Sequence, residues 1–200
     1  MLDFLELEET VGRAWHRLVG GAMSYPRYPE HCVSLDEVKA PLAVFFRGLG
    51  GEFGVQLAGT SARSSSHRLS LRQRIGIAEE RLEQPGRDAA TLFLPARIGL
   101  VPSRHLNEAL YSWLAAYFAY VPLEPITEPD PLRRDLLVLM RAHDTVAAVL
   151  AACPGLTNSY AELCRAMREA RPERSLPRAE AEVERIVLAL LQDSVPVSAD

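Results

Sequence analysis

The most constraining feature of this chain is a helix-length run with almost no polar face. From about Ser103 to Tyr120 it carries Leu106, Leu110, Trp113, Leu114, Tyr117 and Phe118 at three- and four-residue spacings. A helix apolar around most of its circumference must be enclosed by other elements, so the spacing predicts a central helix in a mainly α fold. Its most apolar part, Ala109 to Leu123, is too short to span a bilayer and follows Asn107-Glu108. It reads as a buried helix.

Two hundred residues are enough to wrap such a helix in one large domain or two small ones. The apolar share of 48% and charged share of 24% place the chain with globular proteins, away from the disordered class. Upstream, Phe4, Leu7, Val11, Ala14 and Leu18 mark one face of an amphipathic helix, with Trp15 beside them. Acids crowd its start and Arg13, His16 and Arg17 its end, complementing the helix dipole, and Gly20-Gly21 stops it. Ser34-x-x-Glu37 is a capping box opening a second helix, which Pro41 is expected to bend or restart. Phe53, Val55 and Leu57 alternate with Gly54, Gln56 and Ala58 as a short strand. Thr60 to Ser66 is a polar loop, and residues 69–82 fit either a helix or a strand, with a helix ending at Pro85-Gly86 preferred. Leu92-Phe93-Leu94 and Ile98-Gly99-Leu100-Val101 flank Pro95 as short extended pieces.

Pro122, Pro125, Pro129 and Pro131 form a stiff stretch. The expected organisation is therefore a mostly helical domain with a few short strands over 1–122, a Pro-rich linker over 123–131, and a helical subdomain over 132–200 packed on it. Asp130-Pro131 opens a helix bearing Leu132, Leu136, Leu139, Met140 and Val146, ending near Pro154-Gly155. Ser159-x-x-Glu162 is expected to cap the next. A last helix, about Pro177 to Gln192, presents Val183, Ile186, Val187, Leu190 and Leu191 on one face. The chain carries no internal repeat.

Chemistry is hard to find in these residues. A Walker A loop needs Gly-Lys-Ser/Thr, yet the sole lysine, Lys39, follows Val38. Arg47-Gly48-Leu49-Gly50-Gly51-Glu52-Phe53-Gly54 has Phe53 where a dinucleotide turn needs its third glycine, and it leads from helix to strand, so it reads as a helix C-cap. The zinc candidates are His31-Cys32, Cys153, Cys164 and His105-x-x-Glu108. They lack the paired spacings that converge on one ion, and scattered structural or surface residues are the plainer reading. No Gly-x-Ser-x-Gly elbow exists, and His67 has no carboxylate nearby in sequence to orient it. The expectation is a non-catalytic chain with no cofactor and no metal of its own.

Charge and cysteines bound the partners. A net charge of −4 does not suit a phosphate backbone, and no signal peptide begins Met1-Leu2-Asp3-Phe4-Leu5-Glu6. Cys32, Cys153 and Cys164 make an odd, scattered set that fits a reducing cytoplasm. Phe53 to Ala78 holds no acid but carries Arg63, His67, Arg68, Arg72 and Arg74. The plain reading is a solvated loop and helix face. The alternative is a basic docking surface, formed by Arg63, Arg68, Arg72 and Arg74, for an acidic protein partner. Nucleic acid comes third, because no aromatics stand ready to stack on bases.

Several stretches together carry a resemblance: Leu7-Glu8-Glu9-Thr10-Val11-Gly12-Arg13-Ala14-Trp15-His16-Arg17-Leu18, Tyr28-Pro29-Glu30, and Leu42 through Gly51. Leu94-Pro95-Ala96-Arg97-Ile98 and Leu106 through Leu114 complete it. They resemble the N-terminal region of the CbbO/NorD adaptor family, over roughly residues 4 to 120. These are packing and capping motifs. The resemblance implies a long protein ending in a von Willebrand factor A domain, partnered by a hexameric MoxR-type AAA+ ATPase of the CbbQ kind. In the CbbO branch the client is Rubisco, freed of inhibitory sugar phosphates and contacted through the absent C-terminal domain. In the NorD branch it is nitric oxide reductase. Overall similarity favours CbbO.

The A domain's Asp-x-Ser-x-Ser cation motif is absent, since Asp193-Ser194-Val195-Pro196-Val197 fails at its third and fifth positions. No family functional residue carries over to this chain. Three roles stay open: an adaptor domain on the ATPase, an enzyme with a dispersed site, and a scaffold without a motor. No nucleic acid or membrane partner is expected. An exposed apolar patch would favour the first or third role, and a deep polar cleft the second.

Overall fold

Ser34 starts the first described helix because a carboxylate three residues on reaches back to it. The backbone N–H and hydroxyl of Ser34 both donate to Glu37 Oε1, at 3.0 and 2.7 Å. This computed structural model describes residues 27–60, 85–170 and 178–193. The amphipathic stretch from Phe4 to Leu18 and the ambiguous run 69–82 lie outside the described residues.

In chain order the elements are a 3-10 turn Pro29–His31, β1 Val33–Ser34, α1 Leu35–Gly48, β2 Gln56–Gly59, β3 Gly86–Arg87, β4 Thr91–Leu94 and β5 Arg97–Ile98. Then come α2 Arg104–Tyr120, α3 Pro131–Ala152, a 3-10 turn Pro154–Leu156, α4 Thr157–Ala170 and α5 Arg178–Asp193. The chain is mainly α, with its short strands in the first half, as the patterning predicts.

The helix α1 runs through Pro41 unbroken, which corrects the expected restart. Proline removes one hydrogen bond, to the carbonyl of Glu37, but Glu37 and Pro41 are both exposed and water can take that carbonyl. The buried face is Leu35, Val38, Leu42 and Phe46. The helix ends in a Schellman motif: Gly50 N–H donates to Arg47 O at 3.1 Å and Gly51 N–H to Phe46 O at 3.0 Å. Gly50 takes φ +92°, and Gly51 lies so close to the Phe46 ring that an added Cβ would sit 2.3 Å from it. The glycines thus serve the helix end and the core.

Three strands form a small sheet in the order β2-β4-β3, β2 pairing parallel and β3 antiparallel to β4. The β3–β4 turn is closed by Asp88, whose Oδ1 accepts from Ala90 N–H and Thr91 N–H at 2.8 and 2.6 Å. The strand expected over Phe53–Ala58 begins later, at Gln56, and Phe53 is 85% exposed outside it. Val55 and Leu57 alone keep the buried alternation.

As its pattern requires, α2 is central. Ser103 Oγ accepts from Leu106 N–H, and Leu110, Tyr111, Trp113, Leu114, Ala115, Ala116 and Phe118 are all buried. One core joins α1, the strands and α2 to Val149 of α3 and to Leu163 and Met167 of α4. Trp113 stacks on Tyr160 with ring centroids 3.9 Å apart. Leu139, Cys164, Val183, Val187 and Leu191 make a second cluster that fastens α5 to α3 and α4.

Buried polar groups tie distant segments to α2. Asn107 is fully buried. Its Oδ1 accepts from Leu100 and Val101 N–H at 3.0 and 3.2 Å, and its Nδ2 donates to His31 O and Val101 O, each at 2.9 Å. The Tyr111 hydroxyl donates to Pro95 O at 2.8 Å. Arg87, also buried, donates to Phe118 O at 2.9 Å while its guanidinium lies 5.2 Å from the Phe46 ring centroid.

In the second half one expectation holds and one needs correction. Asp130 caps α3 as predicted, accepting from Arg133 N–H at 2.8 Å, but Leu132 and Met140 are 44% and 61% exposed. Of the apolar residues read from the sequence, Leu139 is on the core face, together with Val138, Ala142, Thr145 and Val149. And Ser159 does not cap α4. The 3-10 turn Pro154–Leu156 feeds directly into a helix that starts at Thr157, leaving Ser159 inside its first turn.

Candidate protein-docking site

Because the core face of α3 passes through Val138, Ala142, Thr145 and Val149, the neighbouring stripe of that helix is left facing outwards. The stripe carries Leu137, Met140, Arg141, Asp144 and Ala148, one face at three- and four-residue steps. Opposite it run Tyr120, Pro122 and Ile126, at the end of α2 and in the Pro-rich stretch. Between them lies an open groove of about 530 Å³. Its floor is apolar: Leu137 and Met140 are among the exposed large hydrophobic residues. A flexible thioether set beside leucine and proline is a surface that adapts to apolar side chains.

Polar groups fix the rim. Arg141 donates to Glu124 O, holding the Pro-rich stretch against α3, and accepts through its own carbonyl from Thr145 Oγ1 at 2.8 Å. Thr145 sits against the Tyr117 hydroxyl, whose pKa burial pushes up to about 12 despite the nearby Arg141 and Thr145. Arg141 and Asp144 stand one turn apart as opposite charges. The arrangement suits holding an apolar surface.

A second exposed patch lies on α1. Val44 is 69% exposed, and the Arg47 guanidinium lies 5.3 Å from the centroid of the exposed Phe53 ring. Near the other end of α1, Arg104 pairs with Glu37 and donates to Cys32 O at 2.7 Å. Hydrogen bonds from the Ser34 hydroxyl, then from the Ser34 N–H, then from Arg104, hold the Glu37 carboxyl at about 2. This cluster fastens the first 3-10 turn and α1 to α2.

The basic set Arg63, Arg68, Arg72 and Arg74 lies outside the described residues, as does His67. The zinc candidates are spread apart. His31 and Cys32 flank the end of the first 3-10 turn, Cys153 follows α3, Cys164 packs in the second cluster, and His105 and Glu108 are exposed on α2. Among the described residues no three His, Cys, Asp or Glu side chains group to hold a metal ion. No single helix there is long and apolar enough to cross a membrane. The groove itself escaped the sequence reading, which named Met140 among the apolar residues of this helix and assigned it no face. The only signal was Arg141 and Asp144 breaking the stripe next to it.

Comparison with known proteins gives a consistent match. The chain is 51% identical over 201 residues to Protein NorD of Brucella abortus, covering 100% of the chain and 32% of that protein. It is 31% identical over 195 residues to Protein NorD of Stutzerimonas stutzeri, covering 97% of the chain and 30% of that protein. An uncharacterised protein of Pseudomonas aeruginosa is 33% identical over 184 residues, covering 90% of the chain and 28% of that protein. The chain therefore matches the N-terminal region of NorD-family proteins and spans about a third of the length of these curated relatives. No family model and no solved structure matches. The named relatives belong to the NorD side of the resemblance, so the preference for CbbO and Rubisco activation gains no support from them.

Proposed function

We propose, from its match along its whole length to proteins named NorD, that this chain is a non-catalytic docking domain of an adaptor. The adaptor would sit on a MoxR-type AAA+ ATPase in the cytoplasm and couple its ATP-driven work to nitric oxide reductase, the client that the NorD side of the resemblance implies. The domain would need no cofactor, nucleic acid or membrane contact of its own. The observation that carries this reading is the open apolar groove on α3, with Leu137 and Met140 exposed beside the Pro-rich stretch. Exposed apolar surface of that kind is characteristic of proteins that bind other proteins.

The test is co-purification of the full-length adaptor with its neighbouring ATPase, with and without ATP. Two double variants separate the surfaces: Leu137→Asp with Met140→Asp in the groove, and Arg68→Glu with Arg72→Glu in the basic stretch. Loss of assembly with an unchanged circular dichroism melt identifies the surface used. For the arginine pair, assembly should also soften with added salt. Retained assembly by both variants at every salt concentration would overturn docking through either surface.

A further inference from the structure

We propose that the α3 groove receives the Phe53 turn of a second copy of this chain, a contact that rests on reading the groove as a protein-docking site and names its occupant. The turn is built to hold its ring outwards. Gly51 lies hard against the Phe46 ring, and Val55 N–H donates to Glu52 O at 3.1 Å, closing a turn with Phe53 and Gly54 at its tip. On one flank Glu52 stands 3.7 Å from the buried Arg87 guanidinium, and on the other Val55 is buried. With both flanks fastened, the backbone that carries Phe53 has little freedom left to lose on binding.

Ring and groove match in size and chemistry. Among the exposed large hydrophobic residues described, Phe53 is the most exposed and the one aromatic. The groove offers about 530 Å³, and a cavity of about 150 Å³ suffices for a benzene ring. Its Met140 thioether is exposed, and methionine sulfur makes favourable contacts with aromatic rings. Leu137, Pro122 and Ile126 supply apolar walls. Within one chain the ring stays uncovered, so a second copy brings the ring that fills the groove.

Charge points to the same pairing. Arg47 lies 5.3 Å from the Phe53 ring centroid and makes no ion pair with a described residue, unlike Arg87, Arg104 and Arg185. Asp144, exposed on the rim of the groove, has no cation partner among the described residues either, since Arg141 is held on Glu124 O. Residues four apart on a helix stand about 5–6 Å from each other, so a ring seated on Met140 brings Arg47 within reach of Asp144.

Symmetry closes the contact. Arg87 stands by Glu52 and donates to Phe118 O, and Tyr120 lines the groove, so turn and groove lie towards one end of α2. A two-fold axis beside that end lets each copy give its ring and take its partner's, which ends assembly at a dimer.

The test is sedimentation velocity of the full-length protein over roughly 1–300 µM, with a circular dichroism melt of each variant. The expected result is a reversible dimer. Phe53→Ala, Arg47→Asp and Asp144→Arg should each weaken it at least about tenfold with unchanged melts. Arg47→Asp combined with Asp144→Arg should restore it to within about threefold of the parent. A monomer at every concentration, an open polymer, a dimer indifferent to these changes, or a charge swap without rescue would overturn the proposal. Adding the ATPase separates this pairing from the function it rests on. A monomeric protein that still assembles with the ATPase through Leu137 and Met140 defeats the dimer and keeps the docking site. A dimer that obeys the charge swap, in a protein that never assembles with the ATPase, keeps the pairing and defeats the adaptor role.

Discussion

Removing the carboxamide of Asn107 tests the reading of α2 as the hub of the fold. In Asn107→Ala the N–H groups of Leu100 and Val101 lose their partner in a fully buried site, and the carbonyls of His31 and Val101 lose a donor. An orphaned buried group costs about 1–3 kcal/mol, so two amides alone bound the loss at about 2–6 kcal/mol. The space vacated by the amide can admit a water that partly replaces it, which places the expectation near 3–4 kcal/mol. For a chain of this size that is roughly a 6–16 °C fall in melting temperature. Asn107→Asp sharpens the point. It keeps both acceptor bonds but turns a carboxylate towards two carbonyls, so it should be at least as damaging at neutral pH. It should recover as acid protonates the group and restores a donor. Urea unfolding followed by circular dichroism, from pH 4 to 8, gives both numbers. An Asn107→Ala variant within about 1 kcal/mol of the parent would refute the hub.

Trp113→Ala should cost at least about 3 kcal/mol, through the cavity and the lost stack on Tyr160, and a melt matching the parent would count against a central α2. Gly51→Ala drives a methyl into the Phe46 ring and should cost about 1–3 kcal/mol, whereas Gly48→Ala, which meets nothing within 4 Å, should melt near the parent temperature. Because the folded pKa of Glu37 is lowered to about 2 from 4.5, its contribution is fully present above pH 4.5 and is lost as pH falls towards 2. A carboxyl NMR titration of Glu37 should therefore show a midpoint near 2, and a midpoint near 4.5 would reject the Ser34 and Arg104 bonds.

What was legible in the sequence was local. The Ser34–Glu37 box, the Asp130-Pro131 start of α3 and the unbroken apolar run of α2 are each set by neighbours within a few residues. The misses are places where distant parts decide. Pro41 reads as a break until the exposure of Glu37 is known. Met140 reads only as one apolar residue of its helix until α2 and α5 are seen to cover the adjacent face. Ser159 looks like a cap because a proline-led 3-10 turn is harder to recognise than a Ser-x-x-Glu pattern. The stretch Leu106 to Leu114 showed its apolar spacing openly, but nothing local revealed that Asn107 reaches back to His31. The groove was illegible for the same reason: it is made by what two segments leave uncovered.

The order β2-β4-β3 sets the ends of the intervening stretch unusually close. Gly59 and Gly86 both lie at the same end of β4, opposite Leu94 and Phe93, and on its two sides. The gap between them is two strand spacings, about 10 Å, which three or four extended residues could cross. Some twenty-six residues, 60–85, make that step. Both flanking strands are registered on β4 alone, so their pairing fixes the two ends of that step and asks nothing of its length beyond this minimum.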